Sequence, residues 1–252
     1  MAMWFGLRTH KDDMSAIKLS FVKSLVPEDL FTVDFVPQNH LYHGSHSFSF
    51  TELIRKEPGS LQERDIVRLL HRLFLPEQIY LNPLRITDKE EISDILVATK
   101  SNILLIQAKD SPNTELNILN TIERKKATTR KHLNKAIKQM KGALRYIGSS
   151  VRIKMIIDGK ENEIEIVDHE LRTLVLVKEL FNDEFSIYSP IILSLAQSTS
   201  VPCIALDYSD LNMYTSNLAD EFSFFEAYDR VFKHGIQNGV FPRLRILPNY
   251  EE

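Results

Sequence analysis

The spacing of apolar positions changes several times along the chain, and each change marks an element. From Glu91 to Asp110 the sequence EISDILVATKSNILLIQAKD holds two apolar runs, ISDILVA and NILLIQA, on either side of a polar turn at Thr99 to Asn102. This predicts a β-hairpin. Before it, Ser60 opens a helix predicted to run to about Phe74, with Ile66, Val67, Leu70, Leu73 and Phe74 on the buried arc. Residues 78–86 predict a first strand, interrupted at Asn82-Pro83, where proline suits an edge or a bend. After the hairpin, residues 113–121 read as a connection. Leu133, Ile137, Met140, Leu144 and Ile147 then recur at helical spacing in a long helix over 122–147, which Gly148 ends. Strands are predicted over 151–157 and 163–167, paired through an Asp158-Gly159 turn, and over 172–177 and 202–207. Helices are predicted over 189–198 and 220–233, the latter with Phe225, Tyr228 and Phe232 as a core stripe. The tail carries a strand-like RLRIL. This order predicts an α/β domain over residues 59–252 with helices around a mixed sheet. Residues 1–58 form an N-terminal α+β extension, with a helix over 11–25 and strand-like segments over 30–36 and 41–51.

The hairpin carries polar residues where a core strand has little use for them. Burying a charge costs several kcal/mol or more unless it is paired or metal-bound. Asp94 nevertheless sits in the first apolar run, and Gln107-Ala108-Lys109 ends the second. The two-residue period of a strand sends Gln107 and Lys109 to one side, beside the partner strand that bears Asp94. An acid, an amide and an ammonium converging there point to metal-assisted hydrolysis. Glu63 has two readings. With Ser60 as N-cap it stands where a capping box wants its acid, and on the helical wheel it also falls within the buried arc, facing the sheet.

Asp94 followed thirteen residues later by Gln107-Ala108-Lys109 resembles the PD-(D/E)xK, or restriction-endonuclease-like, nuclease superfamily. The sequence departs from that pattern with Ser93 in place of proline and Gln107 in place of the acid. The Q-x-K form is similar to Mrr-type enzymes. The resemblance implies a restriction-endonuclease-like mixed central sheet flanked by helices and Mg²⁺-dependent hydrolysis of DNA, with Mn²⁺ able to substitute. It implies Asp94, Gln107, Lys109 and Glu63 as catalytic residues. Asp94, Glu63, the Gln107 side chain and the Ala108 carbonyl are the implied metal ligands. It also brings Gln139 forward as a site candidate, beside Tyr146, and suggests a restriction or antiviral defence role. Gln107 leaves an alternative open, namely a catalytically inactive nuclease-fold module that binds nucleic acid or a protein partner.

Charge distribution adds one thing. The net charge is only −3, but Arg124 to Ile157 holds eleven Lys and Arg and no Asp or Glu. The rest of the chain therefore carries 20 basic and 34 acidic residues, a balance of −14. Lys131, Lys135, Lys138 and Arg145 lie nearly opposite the apolar face of the long helix. They are the expected nucleic-acid-binding surface, DNA ahead of RNA. The plain alternative is a solvated lysine face. No apolar run is long enough to span a membrane. No secretory leader is apparent, and the single Cys203 suits a reducing cytoplasm. His40, His43 and His46 read as a polar loop rather than a metal cluster. A homodimer, or a complex with a partner defence protein, is compatible with one active site per chain.

Overall fold

The computed structural model describes residues 58–110, 120–148 and 150–242. Helix α1 spans Pro58–Leu70, followed by strands β1 (Ile79–Leu81), β2 (Leu84–Arg85), β3 (Ile95–Ala98) and β4 (Asn102–Lys109). Helix α2 (Ile122–Ile147) leads to β5 (Arg152–Ile157), β6 (Lys160–Glu165) and β7 (Glu170–Val177). Helix α3 (Phe185–Thr199), β8 (Cys203–Asp207), α4 (Tyr208–Asn217) and α5 (Glu221–Asn238) complete the described chain. The large sheet has the order β1-β3-β4-β7-β8. Its first three strands are antiparallel and its last three parallel, with β4 belonging to both halves. Helices pack around this mixed sheet, as expected for the fold class.

Strand β4 is central because it can be buried on both faces. Ile103 to Ile106 are each at most 1% exposed. A parallel neighbour needs a crossover, and α2 supplies part of the connection from β4 towards β7. Thr121 caps α2 by accepting from the Arg124 N–H at 3.3 Å. Gly148 ends it at φ 54°, in the left-handed region that glycine reaches at least cost. Leu133, Ala136, Ile137, Met140, Ala143, Leu144 and Ile147 are buried along its length. Helices α2 and α3 pack together, and α2 rests on β4 and β7, while α1 packs on α4, β1 and β4.

Several expectations need correction. The helix expected from Ser60 spans Pro58–Leu70, so Ser60 lies inside it rather than at its N-cap. The strand expected over 78–86 is two strands in different sheets. Asn82 adopts φ 48° between them, and β2 joins β5 and β6 in a separate antiparallel sheet. A left-handed residue followed by proline turns the chain out of the first sheet. Asp94 lies one residue before β3 rather than within it. Asp207 and Asp210 form a capping box at the start of α4. Tyr146 is a clasp: its hydroxyl donates to the Lys154 carbonyl at 2.8 Å and accepts from the Ile86 N–H at 3.4 Å. This ties α2 to the small sheet. The readings of residues 1–57, of the connection over 111–119 and of the RLRIL tail lie outside the described residues, as do His40, His43 and His46.

Candidate active site

The antiparallel register pairs Ile95 with Ile106, which sets Asp94 across from Gln107. Asp94 is 6% exposed, and its carboxylate is surrounded by donors from three successive residues of β4. The Gln107 amide nitrogen donates to Oδ1. The Ala108 N–H donates to Oδ2 at 2.6 Å, and Lys109 Nζ reaches the same oxygen at 3.3 Å. Lys109 also donates to the Ala108 carbonyl at 2.8 Å. Asp94, Gln107, Ala108 and Lys109 are thus brought together as a single group. Charge-assisted bonds of this kind are what make a buried carboxylate tolerable.

The orientation of Gln107 follows from electrostatics. An amide oxygen facing a carboxylate would be repelled, so the nitrogen faces Asp94. To offer its oxygen to a shared cation, the amide must turn by half a revolution about its last side-chain bond.

Glu63 reaches the same neighbourhood from α1. Asn82 Nδ2 donates to Glu63 Oε2 at 3.0 Å. Burial pushes the Glu63 carboxyl above its ordinary range. The Asn82 hydrogen bond opposes this, the Asp94 and Glu91 charges add to it, and Lys109 works against it. Glu91 behaves similarly, raised first by desolvation and then by Asp94, with Lys109 opposing. Negative charge is therefore in excess around one ammonium.

Three residues here escaped the sequence reading. Glu91 lies three positions before Asp94, and nothing in the hydrophobic pattern singled it out. Asn82 registered only as a strand interruption. His132, on α2, feels Lys109 across the fold. Its imidazole is held below its ordinary value by burial, then by Lys109, Lys135 and Lys131. A histidine one position from a buried helical leucine gives no signal of this until α2 is packed.

Lys131, Lys135, Lys138 and Arg145 are all exposed on α2, and none forms an ion pair among the described residues. Other members of the basic run are neutralised. Lys126 pairs with Asp183, Arg130 with Glu184 at 3.5 Å, and Arg152 with Glu163 at 2.6 Å. Gln139 is exposed on α2 and makes no hydrogen bond to the Asp94 group.

Among the described residues, no set of three or more His, Cys, Asp and Glu side chains gathers closely enough to hold a metal alone. The donors at hand are mixed: the Asp94 and Glu63 carboxylates, the Ala108 carbonyl and, after its half-turn, the Gln107 oxygen. All are hard oxygens, which fits a cation that keeps several of its own waters. No helix among the described residues is long and apolar enough to cross a membrane.

No protein-family model matches the chain, and no curated protein matches it by sequence. Among solved structures it is similar to the small subunit of the heterodimeric restriction endonuclease R.BspD6I. The similarity is 13% in sequence with a TM-score of 0.43, over 71% of this chain and 82% of that one.

Proposed function

We propose that this chain is a divalent-cation-dependent nuclease that hydrolyses phosphodiester bonds of DNA. The observation that supports this most directly is the convergence of Gln107, Ala108 and Lys109 on the buried Asp94, with Glu63 close by. Structural economy does not account for it. A lone buried pair would serve folding no better than apolar residues of the same volume, and the extra carboxylates at Glu63 and Glu91 make the local balance worse.

Asp94 and Glu63 would hold the cation, Mg²⁺ or Mn²⁺, together with the Ala108 carbonyl. The chemistry supplied by such an ion is polarisation of a phosphate oxygen and acidification of water. Gln107 would exchange its donor role for an acceptor role by turning its amide. Lys109 would orient the attacking water or meet the charge that develops on the phosphate oxygens. The 26-residue α2, about 39 Å long, would lay Lys131, Lys135, Lys138 and Arg145 along the phosphate backbone. Contacts of that type position the duplex without reading its bases, so binding should be strongly salt-dependent.

The test is nicking of supercoiled plasmid with Mg²⁺ or Mn²⁺ by the full chain, beside Asp94→Ala and Lys109→Ala. Cleavage by the unaltered chain alone supports the proposal, and equal cleavage by all three refutes it. One observation favours a second reading. The Asp94 carboxylate is already met by an amide, a backbone N–H and an ammonium, which is how a silent member of such a fold would close its site. Metal-independent DNA binding without hydrolysis under any divalent ion would select that reading.

A further inference from the structure

Asn82 links the backbone of Asp94 to the carboxylate of Glu63, and we infer that it is the positioning residue that keeps Glu63 and Asp94 in register for one shared cation. The inference rests on the function proposed above. Asn82 sits where the chain leaves β1, at φ 48°, a conformation that Asn adopts more readily than most side-chain-bearing residues. From there it reaches in two directions. Its backbone N–H donates to the Asp94 carbonyl at 2.9 Å, which anchors the residue immediately before β3. Its side-chain Nδ2 donates to Glu63 Oε2 at 3.0 Å, which anchors a carboxylate arriving from a different element.

Glu63 has several rotatable bonds and comes from α1, so nothing in the hairpin fixes where its carboxylate stops. Among the described residues, Asn82 hydrogen-bonds both to the backbone of Asp94 and to the carboxylate of Glu63. Its remaining acceptor, Oδ1, is buried and has no hydrogen-bond partner among the described residues. A buried acceptor left unmet carries a cost. Its presence on the amide that holds Glu63 fits a site whose last donor is water held there with a ligand. Nothing in the corner itself requires asparagine, since glycine meets the same backbone conformation without strain.

The test separates the side chain from the backbone. Asn82→Asp keeps the shape but removes the Nδ2 donor and sets a carboxylate against Glu63. Asn82→Gly keeps the left-handed backbone and removes the side chain. Mn²⁺ affinity of the full chain is read by electron paramagnetic resonance, with thermal melting as the measure of folding. The expected result is an affinity loss of about tenfold in both variants, the usual scale for removing a residue that orients a metal ligand, with a changed spectrum of the bound ion. A gain of affinity in Asn82→Asp would mean that charge, not positioning, is what position 82 contributes, and would overturn the inference. Unchanged affinity and spectrum in Asn82→Gly would also overturn it. Should the unaltered chain and Asp94→Ala both fail to bind Mn²⁺, the proposed function itself falls and takes this inference with it. That outcome is distinct from the other two.

Discussion

Asp94 and Arg172 are both charged groups buried at the large sheet, and they are built differently. Arg172 of β7 lies across from Leu104 of β4, while Asp94 lies across from Gln107, towards the other end of that strand. The Arg172 guanidinium is bound by Asp229 at 2.9 and 2.8 Å, contacts Glu170 and the Asn102 side chain, and lies over the Phe225 ring at 5.1 Å. Burial works against its charge, but the Asp229 and Glu170 carboxylates more than offset this and keep it firmly protonated. That cluster is closed, because each donor group meets an acceptor and an aromatic face covers the plane. The Asp94 group is satisfied as a pair but sits among further acids whose protons bind more tightly than usual. Burial of a charge therefore does not by itself mark a functional site. Surplus charge of one sign, left unbalanced beside a satisfied pair, is the better sign.

This contrast is open to direct attack. Arg172→Met should be the most damaging change. It leaves Asp229 facing the sheet without its partner, and the expected loss of stability is about 3–5 kcal/mol, measured by urea unfolding. Folded molecules of that variant should keep their Mn²⁺ affinity, and a loss of affinity at intact fold would erase the distinction between the two regions. Asp94→Asn should act in the opposite manner. Nicking should fall by roughly 100-fold or more while the melting temperature changes little. A large loss of stability with activity retained would make Asp94 a packing residue like Arg172.

Smaller effects sharpen the picture further. Replacing Lys131, Lys135, Lys138 or Arg145 by Gln should weaken duplex binding uniformly across sequences. Each phosphate contact removed should reduce the slope of log affinity against log salt by about 0.9, as read by fluorescence anisotropy. The same change at Lys126, already paired with Asp183, should leave the slope unaltered. His132 gives the smallest effect. Its folded-state proton affinity lies below the unfolded value, so the unfolded chain binds more protons as pH drops through the ordinary histidine range near 6.5. Stability is therefore lost on the acid side. His132→Asn should remove part of that loss and raise the melting temperature by about 1–2 °C at pH 5.5 relative to the native chain, with no difference at pH 8.

The amphipathic repeat of α2 and the apolar runs of β3 and β4 were legible without coordinates, because one face of each element must be buried and the period shows which. The cost of a buried acid made Asp94 conspicuous, and the strand period put Gln107 and Lys109 together. What no pattern conveyed is how residues far apart in sequence share a field. Glu63 looked equally suited to a helix cap. The span of α1 from Pro58 moves Ser60 away from the N-cap, and a hydrogen bond from Asn82, nineteen positions away, holds the Glu63 carboxylate. The two sheets, the left-handed corner at Asn82 and the approach of His132 to Lys109 were likewise decided by packing. Periodicity reports which face of an element avoids water, and it is silent on which elements meet. Side-chain chemistry across elements therefore had to wait for the tertiary structure.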